Sequence, residues 1–188
     1  MWDWNVPLFD NRPFTADAAD AMDAFHALAP VSDRYAALPI AAAFDWTDVA
    51  RQLGQGEWYL VAFRSIRRAD ADETRLAAFD DRAHHEAQSA PGFVHYFKGP
   101  AAHDRSCLSF CLWTSRAEAR SAAGRPNHVE AVSVIEEMYE AYTLEFLRVT
   151  GRVGMPLTFE SWDAAPPTLA AEPTFGLGLP APGAFPAG

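Results

Sequence analysis

The central part of the chain alternates predicted strands and helices in an order that few folds can accommodate. Stretches rich in aromatic and β-branched residues predict four strands, at residues 57–65, 93–98, 107–113 and 144–149. Apolar side chains at helical spacing predict a helix over residues 71–88, between the first two strands. Capping-box signals at Ser115 and Asn127 predict a short helix and then a longer one that runs to about Tyr142. The order β-α-β-β-α-β predicts an α+β domain of the ferredoxin-like type, with strands aligned 4-1-3-2 and the helices on one face.

The first and third of these strands are apolar on both sides. In the first strand, Trp58 and Leu60 point to one face of the predicted sheet, whereas Tyr59 and Val61 point to the other. The predicted helices cover one face, and the other needs a cover because large exposed apolar patches are rare on monomers. Within the chain only the N-terminal region could supply it, and a second copy packing sheet to sheet is the simplest solution. The strands therefore predict a homodimer.

The predicted domain spans residues 56–162, and the segments on either side of it differ in composition. Aromatic residues recur among Pro and Asp in residues 1–55, and the patterns at 15–29 and 46–53 predict two short helices there. We expect this N-terminal arm to pack on the main domain or on a partner subunit. Residues 163–188 are dominated by Pro, Ala and Gly, which break helices and strands, and are predicted to be irregular or disordered.

Charge and motif content narrow the classes of partner and reaction. A net charge of -10 and a pI near 4.9 disfavour binding to nucleic acid or to anionic membranes, because both carry negative charge. No apolar run reaches the ~18 residues that span a bilayer and the first residues lack a signal-peptide pattern, so we expect a cytoplasmic protein. The chain has no Gly-rich phosphate loop, nucleophile elbow or His-Glu-x-x-His motif, which disfavours nucleotide transfer, serine hydrolysis and zinc proteolysis.

The two cysteines lie on one predicted strand. Extended backbone separates the Cα atoms of Cys107 and Cys111 by about 13 Å at ~3.3 Å per residue. A disulfide needs its Cα atoms within about 7 Å of each other. Both residues are therefore predicted to be buried thiols that pack as small apolar side chains.

Three short motifs follow one another between Pro91 and His128. They are a Pro-Gly-Phe strand start at Pro91, a Trp-Thr-Ser helix start at Trp113 and a Pro-Asn-His turn that ends at His128. Together they resemble the pattern of the antibiotic-biosynthesis monooxygenase superfamily, over roughly residues 57–150. The resemblance implies a dimeric α+β barrel of two ferredoxin-like units, each with a pocket between sheet and helices.

The same resemblance implies a range of activities. Members of the superfamily include cofactor-free oxygenases that oxidise polycyclic phenols, haem-degrading oxygenases and proteins with no known activity. The haem degraders use a His late in the second long helix and an Asn near the start of the first strand. Here the only His of that predicted helix is His128, at its beginning, and the first strand has no Asn, which disfavours haem degradation.

Two histidines are the candidates for a catalytic residue. His128 lies at a predicted helix start, on the same face as Val132, and the positive helix end would favour a neutral imidazole that can take a phenolic proton. The structural alternative is a histidine that caps or packs at the helix start. His95 is predicted to share a strand face with Phe93 and Phe97, where an imidazole needs a hydrogen-bond partner. That partner could be a substrate, or a neighbouring backbone or hydroxyl group.

Further residues are predicted to bind the substrate: Trp58, Arg64, His84, Phe97, Cys111, Trp113 and Tyr139. Flat aromatic rings would stack on a planar ligand and Arg64 could pair with an anionic one, although core packing and local ion pairs explain the same residues. His84 and His85 follow Asp80 and Asp81 at a spacing known from metal sites. A solvated acidic helix face explains that spacing better, and no metal site is predicted.

The sequence thus predicts a small oxygenase-like enzyme that acts on a planar aromatic substrate without an organic cofactor. Two alternatives stay open. One is a haem-binding protein that uses one of the two candidate histidines, with Trp113 against the porphyrin. The other is a dimer that binds a small ligand and has no catalytic activity.

Overall fold

The computed structural model describes residues 24–162 and 169–170. Its helices are α1 (Ile40–Ala43), α2 (Thr47–Leu53), α3 (Glu73–Gln88), α4 (Arg116–Ala123), α5 (Pro126–Ser133) and α6 (Ile135–Met138), with a 3₁₀ turn at Tyr35–Ala37. Its strands are β1 (Gly56–Arg67), β2 (Phe93–Phe97), β3 (Ser106–Trp113), β4 (Tyr139–Gly151), β5 (Thr158–Ser161) and β6 (Leu169–Ala170). None of the helices in these residues is long and apolar enough to cross a lipid bilayer.

The strands form one antiparallel sheet in the order β2-β3-β1-β4-β5, with β6 paired to β4. Read from β4 to β2, this is the predicted order 4-1-3-2, so the ferredoxin-like α+β fold is confirmed. β5 and β6 were not predicted from the sequence. β6 places two residues of the predicted C-terminal tail beside Ala141 and Tyr142, and the rest of that tail lies outside the described residues.

Local capping signals explain where several elements begin and end. The Ser115 hydroxyl accepts a hydrogen bond from the amide of Glu118 at 3.2 Å and donates one to the Glu118 carboxylate at 2.9 Å. This is the predicted capping box at the start of α4. α2 ends at Leu53 and is followed by Gly54, the glycine that was predicted to close this helix. The φ of Gly54 is +64°, a backbone conformation that is costly for any residue with a Cβ.

The helix predicted to run from Asn127 to about Tyr142 is shorter than predicted. α5 and α6 are interrupted at Val134, and β4 already begins at Tyr139. Tyr139 and Tyr142 pair with residues at the end of β1, so sheet hydrogen bonds replace the helical ones that their periodicity suggested. The predicted cap at Asn127 is also wrong, because the N-cap position is two residues earlier, at Arg125, and α5 starts at Pro126.

The two faces of the sheet have different covers. One face, which we name the arm face, carries Trp58, Leu60, Phe110 and Leu112 and packs against the arm, the described residues 24–53. The arm contributes buried side chains from each of its short elements: Phe25, Leu28, Tyr35, Ile40, Ala43, Phe44, Trp46, Val49 and Leu53. The predicted packing of the N-terminal arm on the main domain is therefore seen, although the larger part of the predicted helix at 15–29 lies outside the described residues.

The opposite face, which we name the helix face, carries Tyr59, Val61, Cys111 and Trp113. Helices α3 to α6 lie over it, as the ferredoxin-like order requires. Because the arm fills the arm face, a second subunit is not needed there, and the uncovered surface that led to the predicted homodimer is absent from the described residues. The homodimer stays a prediction, and it would have to use another surface unless the arm moves.

Candidate functional site

A cavity of about 450 Å³ lies between the helix face of the sheet and the helices above it. Strands β1 to β4 supply its floor through side chains that alternate towards the helices. Seven of its roof residues are alanines: Ala77, Ala83, Ala87, Ala119, Ala122, Ala123 and Ala131. Since alanine side chains do not reach the sheet, a space remains between the two layers.

One end of the cavity is aromatic. Trp113 pairs with Tyr59 across the sheet and meets the Phe93 ring edge to face, at 5.4 Å between centroids. The indole Nε1 of Trp113 donates to the Cys111 sulfur at 3.0 Å, and burial raises the pKa of the Cys111 thiol to about 12. This wall offers flat apolar surface and keeps Cys111 protonated, so it can hold a planar ring but has no nucleophile at neutral pH.

The other end of the cavity carries hydroxyl groups. Ser65 pairs with Tyr142 on β4, and the Tyr139 and Tyr142 rings lie 5.2 Å apart. Burial raises the pKa of Tyr139 to about 12 and that of Tyr142 further, so both stay protonated near neutral pH. Along β1, the floor therefore changes from the aromatic wall beside Tyr59 to the hydroxyl groups around Ser65.

His128 lies at the start of α5 and lines the cavity. Its position depends on Glu86 of α3, whose carboxylate accepts from the amides of Asn127 at 3.0 Å and His128 at 3.2 Å. The Glu86 carboxylate thus takes the capping role that the sequence pattern assigned to Asn127. Desolvation lowers the pKa of His128, and the nearby charge of Glu86 opposes this in part, so the imidazole is neutral at pH 7.

His84 also lines the cavity, from α3. Its ring lies 4.9 Å from the Tyr96 ring and 6.1 Å from the Phe93 ring. Desolvation lowers its pKa, although the charge of Asp80 works in the opposite direction. Within the described residues, the side chains of His84 and His128 have no hydrogen-bond partner in the protein, which leaves their ring nitrogens available to a ligand.

A polar cluster that sequence reasoning missed lies beside His84. The Tyr96 hydroxyl is 2.6 Å from Oδ1 of Asp80, and the Lys98 ammonium is 2.8 Å from Oδ2 of the same carboxylate. Lys98 also pairs with Asp81 at 2.9 Å. The sequence signal was present, since Tyr96 alternates with its neighbours on β2 and Asp80 precedes His84 by one helical turn, but nothing in the sequence showed that the two elements meet.

His95 is separated from this cavity by the sheet. The register of β2 against β3 shifts between Phe93 and His95, so Phe93 lines the cavity while His95 points to the arm face. The predicted shared face of these two residues is therefore wrong. His95 stacks on Phe25 of the arm at 4.7 Å, and burial, with a smaller contribution from the charge of His26, lowers its pKa to about 4.

Three residues predicted to bind substrate share this arm face. Phe97 stacks on Phe110 at 5.5 Å, and Trp58 belongs to the buried core beneath the arm. Arg64 donates to the arm carbonyl oxygens of Ala36 at 2.5 Å and Leu38 at 2.7 Å, and it pairs with Glu145 of β4. These contacts hold the arm in place. The predicted site residues that do line the cavity are His84, Cys111, Trp113, His128 and Tyr139.

Comparisons with known proteins give a family match and a set of similar folds. The model of a family described as PB2B2.08-like matches residues 8–161. No curated protein matches the sequence.

Among solved structures, the chain is similar to SnoaB, a cofactor-independent oxygenase from Streptomyces nogalater, at 19% identity and a TM-score of 0.41, over 54% of this chain and 98% of that one. It is similar to Rv0793 from Mycobacterium tuberculosis at 17% identity and a TM-score of 0.40, over 57% of this chain and 94% of that one. A dimeric ferredoxin-like protein of unknown function from Thermobifida fusca matches at 13% identity and a TM-score of 0.41, over 50% of this chain and 92% of that one.

Proposed function

This chain belongs to the PB2B2.08-like family, and we propose that it is an oxygenase-like enzyme that acts on a planar aromatic substrate without an organic cofactor. One observation carries the proposal. The cavity joins a flat aromatic wall to two imidazoles, His84 and His128, whose pKa values are lowered by burial. Its walls are mostly apolar and carry a few convergent polar groups, which is the usual character of a small-molecule site.

The cavity residues have complementary roles in such a reaction. Trp113 and Phe93 would fix the plane of the substrate ring, which places its hydroxyl group within reach of an imidazole. A neutral imidazole can remove the phenolic proton, and the resulting electron-rich ring is the form that reacts with molecular oxygen. The lowered pKa keeps His84 and His128 neutral at pH 7, so either can act as the base without first losing a proton itself.

His128 is the first choice for that base. The backbone amide of His128 donates to Glu86, so the backbone that carries the imidazole is held in position. The positive N-terminal end of α5 also disfavours the charged form of the imidazole. His84 is the second choice, because its ring already packs on Tyr96. His95 has no place in this role while the arm covers it.

Oxygen uptake with a reduced anthrone or naphthalene-diol substrate tests the proposal. We expect His128→Ala to lower kcat by about 10²-fold or more, as loss of a general base does. His95→Gln is the matched control, since it changes a buried imidazole on the opposite face, and it should keep activity within about twofold. Absence of oxygen uptake with every such substrate, or an equal loss in both variants, would refute the proposal.

Haem binding is the second candidate, because neutral imidazoles in an apolar cavity are also the form that ligates haem iron. Either cavity histidine could supply the axial nitrogen, and Trp113 could pack against the porphyrin. Haem titration distinguishes the candidates. A Soret band that is present in the wild type and lost in His128→Ala or His84→Ala would favour haem over the cofactor-free reaction, and a bound aromatic ligand without oxygen uptake would favour a non-catalytic binding protein.

The homodimer and the cytoplasmic location predicted from the sequence belong to this proposal as well. Mass measurement by light scattering tests the first. We expect any dimer of the full chain to leave the arm face buried, since Arg64 and the aromatic core hold the arm there.

A further inference from the structure

The polar cluster of Tyr96, Asp80 and Lys98 lies in the wall of the cavity and has no part in the proton transfer described above. All three residues line the cavity. Tyr96 comes from the edge strand β2 and Asp80 from α3, so the contact joins the sheet to the helix layer at one side of the cavity. A polar pair placed between otherwise apolar walls fixes the orientation of a ligand.

The direction of the hydrogen bonds in this cluster follows from the chemistry of its members. The Lys98 ammonium forms an ion pair with one oxygen of the Asp80 carboxylate, at 2.8 Å and without hydrogen-bond geometry, which favours the ionised carboxylate. An ionised carboxylate can only accept, so the Tyr96 hydroxyl must give its one proton to the other oxygen, at 2.6 Å. The Ser109 hydroxyl also donates to the Tyr96 oxygen, so Tyr96 presents one remaining oxygen lone pair, and no free proton, to the remaining space.

We propose that the Tyr96–Asp80 pair is a hydrogen-bond acceptor that selects ligands with an O–H or N–H donor on their aromatic ring, over ethers and ketones of the same shape. The proposal deepens the proposed function and rests on it for the aromatic ligand. Asp80 is a positioning residue, because it does not contact the ligand itself but accepts the Tyr96 proton and so leaves the Tyr96 oxygen to act as the acceptor.

The surroundings of the pair support this assignment. Burial and the charge of Asp80 raise the pKa of Tyr96 well above its usual range, so Tyr96 stays a phenol and does not compete as an acid or base. The Tyr96 ring contacts the His84 ring at 4.9 Å. A ligand held by the Tyr96 oxygen therefore has its polar end beside the His84 ring.

Anaerobic titration calorimetry with 1-naphthol and 1-methoxynaphthalene tests the selection, since these ligands differ by one methyl group on the oxygen. We expect the wild-type chain to bind 1-naphthol roughly tenfold more tightly, the effect of one hydrogen bond with a charge-assisted acceptor. Tyr96→Phe should lose most of this preference, and the remainder would come from the cavity imidazoles, which can still accept from the naphthol hydroxyl. Asp80→Asn should weaken or reverse the preference, because an amide can donate to the Tyr96 oxygen and free the tyrosine proton for an acceptor ligand.

Asp81→Asn is the matched control, since Asp81 also pairs with Lys98 but is exposed and is not among the cavity-lining residues. It should keep the wild-type preference. Equal binding of the two ligands by the wild type, or a preference that is undiminished in Tyr96→Phe, would overturn the assignment, as would a failure of both ligands to bind. Because no oxygen is present, the binding preference and the proposed oxidation succeed or fail separately: a retained preference without oxygen uptake would refute the oxidation alone.

Discussion

The two faces of one sheet have been used in opposite ways. On the arm face, the rings of Phe44, Trp46 and Phe97 lie within 5.5 Å of one another or of Phe110. The cavity on this side, of about 530 Å³, lies between the arm and residues 154–159 and is not lined by β1 or β3, so the arm packs directly on the centre of the sheet. On the helix face, the sheet presents rings of similar size, but seven of the helix residues above them are alanines, and a cavity of about 450 Å³ remains. The strands supply apolar side chains to both sides, so the difference comes from what packs on them.

This difference separates two roles that histidine can have in one small domain. His95, His84 and His128 all have pKa values lowered by desolvation. The ring of His95 is stacked on Phe25 of the arm, whereas His84 and His128 line a space that a ligand can enter. The lowered pKa indicates burial for all three histidines. Only His84 and His128 also border a cavity, so only these two can meet a substrate.

The largest expected effect comes from opening the filled face. Phe110 has no exposed surface and contacts rings of both the arm and β2, so Phe110→Ala should lower the free energy of unfolding by about 3–5 kcal/mol. Phe146→Ala, on the cavity side, should cost clearly less because that ring is half-buried and already borders empty space. Urea denaturation measures both, and equal losses would show that the two faces do not differ in packing.

The next effect is a dependence of stability on pH that originates under the arm. The unfolded chain protonates His95 near its usual pKa of 6.5, whereas the folded chain protonates it at about 4, so the unfolded state binds more protons between these values. The free energy of unfolding should therefore fall as the pH drops from about 6.5 to 4, by on the order of 2 kcal/mol from this residue. In His95→Gln this part of the loss should vanish, and an unchanged pH profile would contradict the burial of His95.

A smaller effect tests how the arm is attached. Arg64→Met keeps much of the apolar stem but removes the donors to the Ala36 and Leu38 carbonyls, which should cost about 1–3 kcal/mol and speed amide hydrogen exchange in the arm. Exchange in α3 and α4 should not change. Arg75→Met is the control, since Arg75 pairs with Glu137 on the exposed side of the helices. Uniform acceleration across both faces would mean that the arm and the helix layer open together.

Much of the fold was predictable because its signals are local. The alternation in β1 and β3, the capping box at Ser115 and the glycine at Gly54 each depend on a few neighbouring residues, and the structure retains them. The prediction failed where distant partners outweighed the local pattern. Tyr139 and Tyr142 have helical spacing but pair with β1, and Glu86 caps α5 from another helix.

The candidate site was predictable only in part. His84, Cys111, Trp113, His128 and Tyr139 meet in the cavity as expected of a pocket on the helix face. Trp58, Arg64, His95 and Phe97 belong to the arm face, and a single register shift at Phe93 accounts for the misplaced His95. Such a register shift moves every following side chain of the strand to the opposite face, and the amino-acid sequence of a five-residue strand does not predict it.

The sequence by itself determined that this chain has a ferredoxin-like sheet with two apolar faces, because period-two patterns and caps act over a few residues. Only the tertiary structure decided which cover each face received. That choice depends on side chains far apart in the chain: the arm brings large rings to Phe110, the helices bring alanines to Trp113, and Asp80 reaches Tyr96 across the gap between the layers. Whether a space between two layers is filled depends on the combined volume of side chains that are far apart in the sequence, and no local sequence pattern predicts that volume.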